Sequence, residues 1–220
     1  MIRAVVFDMD GLMFDTENLT VGAWEKASQQ LGCSSVKSII GKCMGLTPVH
    51  IKKLFFDTFG TDFPFDEFMQ FGRNYSADFI QKNGVPVKPG LYELLDYLKE
   101  NGYKIAVATS TSQASAMKHF EGAKVTKYFD QIICGDMLEK SKPDPDIYRK
   151  AAAALQIAPQ DCMALEDSPN GLTSAYRAGM KTVMVPDLIA PNAVLEKMLF
   201  ACVASLHDVI SLLEKQKAGN

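Results

Sequence analysis

Apolar residues are spaced in two ways along this chain. Residues 4–7, 104–108, 131–134, 162–165, 182–185 and 201–204 form short runs rich in Val, Ile and Ala with little polar interruption. Runs of that length without alternation predict strands buried on both faces. Between the later runs, residues 91–100, 112–120, 146–155 and 172–178 read as helical stretches, with apolar positions at the spacing of an amphipathic helix. Strand alternating with helix predicts a parallel sheet covered on both faces, an α/β doubly wound core of Rossmann-like type.

Residues 15–85 break that rhythm. They hold no strand-like run, whereas Ala23, Ala27 and Leu31, and again Ile51, Leu54, Phe55 and Phe59, fall at helical spacing. Nine of the thirteen phenylalanines lie between Phe14 and Phe79, which reads as the core of a small helical bundle rather than as a cofactor box. Because the first run belongs with the later strands, the segment is predicted to be a helical cap inserted after strand 1. The expected division is a core of residues 1–14 and 87–220 and a cap of residues 15–86. Its joints fall at 14–17 and at 83–89, NGVPVKP, where Gly and Pro punctuate the chain.

In an open parallel sheet, ligands bind beyond the carboxyl ends of the strands, so the polar residues after each run matter most. The first run ends on Asp8-Met9-Asp10. Side chains at i and i+2 share a side in extended backbone, so these carboxylates are expected to face one another's charge. That is costly without a cation or a shared proton between them. Thr109 and Ser110 follow the second run, Glu166 and Asp167 follow the run at 162–165, and Lys142 lies in KSKPDPD. Singly, Thr109, Ser110 or Asp167 would pass for a helix cap, and Lys142 for a surface lysine. Gathered at one sheet edge they solve the problem of the paired acids. Several carboxylates call for a hard divalent cation, and oxygen ligands with open water positions suit Mg2+. An ammonium and a hydroxyl beside it are what a phosphoryl group requires.

Composition narrows the field. At 220 residues, with 47% hydrophobic and 22% charged content, the chain can bury a core and carry an insert. A formal net charge of −3 leaves no basic surplus for a nucleic-acid partner. No apolar run reaches the length of a membrane span, and the N-terminus passes directly into a core strand without a signal-peptide pattern. No membrane partner and a cytoplasmic location are therefore expected. The five cysteines show no CxxC spacing, which supports neither a zinc knuckle nor a redox motif. Cys134, Cys162 and Cys202 fall in strand runs and are expected to act as small hydrophobes. Cys43, in the glycine-flanked GKCMG, is expected on a loop open to solvent, with no cation cluster to activate it.

The order FDMDGLMFDTE, ATSTS, KSKPDPDIY and LEDSPNG resembles the four motifs of the haloacid dehalogenase superfamily of phosphotransferases, and the match covers nearly the whole chain. DMDG followed by DTE, with KPDP and EDSPNG, is most similar to the branch holding β-phosphoglucomutase and small sugar-phosphate phosphatases. The resemblance implies that Asp8 is the nucleophile and Asp10 the general acid/base. It implies that Thr109, Ser110 and Lys142 hold the phosphoryl group. Mg2+ would be bound by Asp8, Asp167 and the backbone carbonyl of Asp10, with Glu166 either a direct or an outer-shell ligand. The implied activity is hydrolysis of a small phosphorylated metabolite through an aspartyl-phosphate, by a monomer or weak dimer. Leaving-group contacts are expected from the cap, where 40–47, IGKCMGLT, is the candidate loop and Gly41, Lys42 and Gly45 the candidate residues.

True dehalogenases of this superfamily lack the second acid and need no metal, so Asp10 and Asp167 count against dehalogenation. β-Phosphoglucomutase carries a cap histidine shortly after the DT element. Thr20 stands at the matching place here and the nearest cap histidine is His50, which favours a hydrolase over a phosphomutase. A receiver module also sets acids, a Thr and a Lys on a doubly wound sheet, but its early acids are adjacent and it has no helical insert. A degenerate ligand-binding relative is disfavoured because every chemical residue is present. As a calcium loop, DMDGLMFDTE fails at Met13 and Leu19, where Gly and a bidentate Glu are needed. His119 is expected on a helix surface and His207 at a helix start, neither with a chemical role.

Overall fold

The computed structural model describes residues 1–33, 36–43 and 48–218. Its strands are β1 (Ala4–Phe7), β2 (Lys104–Ala108), β3 (Gln131–Ile133), β4 (Cys162–Glu166), β5 (Lys181–Met184) and β6 (Ala201–Cys202). They form one sheet in the order β3-β2-β1-β4-β5-β6, parallel at every pairing. Among the described residues the helices are α1 (Thr16–Gln30), α2 (Lys37–Cys43), α3 (Pro48–Phe59), α4 (Phe65–Asn83), α5 (Leu91–Glu100), α6 (Gln113–Gly122), α7 (Asp146–Leu155), α8 (Pro169–Arg177), α9 (Ala193–Glu196) and α10 (Leu206–Ala218). The architecture is the doubly wound α/β fold.

The chain divides into two compact units, residues 1–14 with 87–220 and residues 15–86. In the first, β1 lies between β2 and β4, with Phe7 in register with Val107 and Leu165. Neighbours on both sides and helices on both faces bury all four of its residues, which is why it reads as an uninterrupted AVVF. One face of the sheet is built from Ala4, Val6, Ala106, Ala108, Cys162 and Ala164, and α7 packs Ile147, Tyr148, Ala151, Ala152 and Leu155 against it. Alanines facing alanines bring this helix close to the strands. Strand order reverses at β1, so the crevice beyond the carboxyl ends of β1 and β4 is the switch point where such sheets bind ligands.

The sheet edges depart from the sequence reading. The run at 201–204 forms only the two-residue β6, and Cys202 is exposed rather than buried. An edge strand this short is paired on one side only, and its last residue has no cover.

In the second unit the regular elements among the described residues are helices. Phe55 is the hub of its core, with ring centroids 5.2–5.9 Å from Trp24, Phe59, Phe63, Phe65 and Phe68. Gly72 lets α4 reach Trp24, since a Cβ there would stand 2.9 Å from the indole. Residues 40–43, expected in a loop, are instead the end of α2. Ile39, Ile40 and Cys43 are buried in the aromatic core, and that burial outweighs the roughly 1 kcal/mol a helical glycine such as Gly41 costs. Cys43 is accordingly buried rather than open, and burial pushes its thiol up to about 11. Lys42 is exposed on α2, while Gly45 lies outside the described residues.

Candidate active site

Asp8 leaves β1 still clamped, because its N–H donates to the Leu165 carbonyl of β4 at 3.0 Å. The chain then reverses. Gly11 takes the left-handed φ of 78°, its N–H donates to the Phe14 carbonyl, and the Phe14 N–H returns to Met9. A side chain at that φ would be strained, which is the physical content of the G in DMDG. The turn leaves Asp8 buried and Asp10 partly buried.

Lys142 joins the two central strand ends. Its ammonium donates to Asp8 Oδ1 at 2.7 Å and to Glu166 Oε1 at 2.6 Å, and all three side chains are buried. Tyr148, fully buried on α7, donates its hydroxyl to the same Glu166 oxygen at 2.6 Å, and its ring lies 5.0 Å beneath the ammonium. Glu166 Oε2 accepts from Ser168 Oγ at 3.0 Å and from the Ser168 N–H at 3.3 Å. The carboxylate rests directly on Gly171, where a Cβ would lie 1.8–2.1 Å from its atoms. Ser168, not Asp167, caps α8, accepting from the Gly171 N–H at 3.1 Å.

A third group of residues comes from the end of β2. Thr109 is fully buried, and its N–H donates to the Ile133 carbonyl of β3. Ser110 is exposed. Thr111, which sequence reasoning passed over, donates its hydroxyl to Asp10 Oδ2 at 2.7 Å. The loop is held close to β3 by Gly135, where a Cβ would meet the Ser110 carbonyl oxygen at 2.1 Å. Asp8, Thr109, Lys142, Glu166 and Asp167 thus converge at one sheet end with Asp10 beside them. Gly41 and Lys42 belong to the other unit.

Burial pushes Asp8 up to about 7; Lys142 opposes the shift, while Glu166 and Asp10 add to it. Burial pulls Lys142 down, but Asp8 and Glu166 more than offset it and hold the ammonium well above its ordinary value. Tyr148 is raised well above its ordinary value by burial and then by Glu166 and Asp8, so its hydroxyl remains a donor. His119 is not a surface residue. It is half-buried edge-on to Phe14 at 5.8 Å with its Nδ1 lacking a hydrogen-bond partner, and burial lowers its pKa while Asp10 partly opposes the change.

The donor set can hold a hard cation. Carboxylate oxygens of Asp8, Glu166 and Asp167, all buried, lie within 4.8 Å of one another, and oxygen-only donors suit Mg2+. One ammonium does not balance three buried acids. Glu166 already accepts two hydrogen bonds on each oxygen, so its lone pairs are largely committed.

Fold and cluster together define an α/β protein with its polar chemistry at the switch point. A family model described as haloacid dehalogenase-like hydrolase matches residues 5–185, and the chain belongs to that family. It is 28% identical to the phosphorylated carbohydrates phosphatase of Thermotoga maritima, over 97% of this chain and 99% of that one. It is 30% identical to the β-phosphoglucomutase of Bacillus subtilis, over 84% and 83% of the two chains. The solved structure of Rhodobacter sphaeroides CbbY in complex with xylulose-(1,5)bisphosphate matches with a TM-score of 0.73 at 25% identity, covering 94% of this chain and 96% of that one.

Proposed function

We propose that this phosphoric monoester hydrolase releases inorganic phosphate from small phosphorylated metabolites, sugar phosphates foremost, through an aspartyl-phosphate on Asp8. The observation that carries the reading is the buried Asp8–Lys142–Glu166 network with Asp167 at the switch point. The first two relatives compared, and the sugar bisphosphate bound to CbbY, support a phosphorylated carbohydrate as substrate.

In the first step an Asp8 carboxylate oxygen attacks phosphorus, the ester bond breaks, and the leaving oxygen takes a proton from Asp10. In the second, water attacks the same phosphorus and gives its proton to Asp10, returning Asp8 and free phosphate. Lys142 stays charged throughout and neutralises the phosphoryl oxygens, with the Thr109 hydroxyl and the Ser110 loop beside them. Asp8, Asp167 and the Asp10 carbonyl would hold Mg2+, which supplies further charge neutralisation there and keeps Asp8 ionised at neutral pH. Glu166 holds Lys142 in place. No helix of the described residues is long and apolar enough to cross a membrane, and phosphorylated metabolites as substrates support a cytoplasmic location.

The test is phosphate release from a panel of sugar phosphates, nucleotides and phosphoglycolate, with Mg2+ and with EDTA. Turnover with Mg2+, lost in chelator and in Asp8→Asn, is expected, because an amide cannot form the acyl phosphate. Full activity in EDTA would remove the metal from the reading, and an active Asp8→Asn would remove the nucleophile.

A further inference from the structure

We propose that a cationic recess at the amino end of the sheet binds a small organic phosphate, at a site separate from the catalytic one. The recess measures about 330 Å³, within the range of small-molecule sites. Its floor is apolar, formed by the buried Ile2, Tyr103 and Ile157. Arg3, Lys104 and Lys217 stand exposed on its rim, and no acidic residue lines it. These cations gather in a chain whose formal net charge is −3. Arg3 precedes β1 and Asp8 follows it, so about five residues of extended backbone, roughly 16 Å, separate this end from the phosphoryl site.

Each cation is held by its own element. The Arg3 N–H donates to the Asp161 carbonyl at 2.8 Å, and the Arg3 carbonyl accepts from the Lys104 N–H at 3.0 Å. Both residues are therefore fixed where β1 and β2 begin. Lys217, near the end of α10, donates to Asn101 Oδ1 at 2.9 Å. Its ammonium lies 5.1 Å from the Tyr103 ring centroid and 5.7 Å from that of Tyr97. The two nearest acids are engaged elsewhere: Asp130 with Lys104 at 2.9 Å and Lys99 at 3.6 Å, and Asp161 with the Met1 amino group at 3.6 Å. Among the described residues no carboxylate forms an ion pair with Arg3 or Lys217. A guanidinium fork and an ammonium with further N–H donors match the several oxygens of a phosphate. Two unneutralised charges match the dianion of a phosphate monoester. The apolar floor favours a ligand with a carbon skeleton over free inorganic phosphate.

Phenylphosphonate and methylphosphonate are suitable probes, because neither holds a phosphate ester that could be hydrolysed. The measurement is titration of the full chain, followed by amide NMR, which reports each end of the sheet separately. The Gly102 and Lys104 amides should shift saturably, and phenylphosphonate should bind more tightly than methylphosphonate because its ring covers the floor. Arg3→Gln with Lys217→Gln should weaken binding about tenfold or more, as two charge-assisted hydrogen bonds are lost. The melting temperature and the rest of the amide spectrum should stay close to wild type in that variant, since both side chains are exposed. If the double variant does not fold, Lys217→Gln alone should still weaken binding. Shifts confined to the Gly11 and Thr109 amides would place the probe at the catalytic end and overturn the proposal. So would undiminished affinity in the variant, or the same shifts with sodium chloride at equal ionic strength, which would mean screening alone. Equal affinity for the two phosphonates would overturn the assignment of an organic ligand.

Discussion

Burial lifts Asp8 from 3.8 to about 7 against the pull of Lys142, and the consequence for stability has a definite sign. Between those values an unfolded chain gives up the proton that the metal-free fold retains. Asp8 therefore costs stability progressively as pH rises through that window, by an amount on the order of 4 kcal/mol once pH exceeds the folded value. Lys142 works in the opposite sense, because its raised pKa contributes stability that is complete below its ordinary value of 10.5 and is lost only as pH rises towards the folded one. On the proposed assignment, Mg2+ would require the ionised Asp8 and so relieve the cost. The expected outcome is a gain in Tm on adding Mg2+ that is larger near pH 8 than near pH 5.5, read by thermal melting against EDTA controls. Asp8→Asn should abolish the difference, and an equal gain at both pH values in wild type would refute the coupling. Lys142→Ala leaves Asp8 and Glu166 buried without their ammonium. It should destabilise the fold by about 3–5 kcal/mol and lower kcat by roughly 10²–10³, measured by denaturant unfolding and by steady-state kinetics.

The β4–α8 connection shows how a short element sets the site. Glu166 ends β4, Ser168 caps α8, and Gly171 sits where the Glu166 carboxylate must rest. Gly171→Ala forces that carboxylate away from Lys142 and Tyr148. Expected results are a loss of about 1–3 kcal/mol, as for other overpacked sites, together with a fall in kcat; wild-type kinetics in a well-folded Gly171→Ala protein would contradict the cradle. The glycine was visible in EDSPNG, but its reason was not, because a carboxylate folding back onto its own helix start is a tertiary contact. Sequence reading found the strands where burial is two-sided, at β1, β2 and β4, and lost accuracy at β6, where pairing is one-sided. It named Ser110 and missed Thr111, although the i, i+2 rule used for Asp8 and Asp10 would have paired Thr109 with Thr111 and turned Ser110 away. Tyr148 was legible in principle as well. It lies on the buried face of α7 with Ile147, Ala151, Ala152 and Leu155, and a buried tyrosine hydroxyl needs a partner. The end of α2 was misjudged because Gly41 suggested a loop, and only the aromatic core around Ile39, Ile40 and Cys43 outweighs that preference.

At the scale of the whole enzyme the open choice is between hydrolysis and phosphoryl return, since the chain resembles a phosphatase and a β-phosphoglucomutase at similar identity. A mutase must keep water from being activated while its product turns round to take the phosphoryl group back. A titratable group gating Asp10 is one means of doing so. Thr20 carries no such group, and its hydroxyl is already spent on the Thr16 carbonyl of the same helix at 2.9 Å. Asp10 bonds to the hydroxyl of Thr111, which does not change charge at physiological pH either. With no titratable side chain at position 20, each turnover should release inorganic phosphate. The measurement is ³¹P NMR of the enzyme with Mg2+, β-glucose 1-phosphate and a trace of the 1,6-bisphosphate. Free phosphate should grow in step with loss of the substrate signal, and Asp10→Asn should slow its appearance. Accumulation of glucose 6-phosphate with little free phosphate would reverse the assignment, and would mean that some group other than Thr20 withholds Asp10 from water.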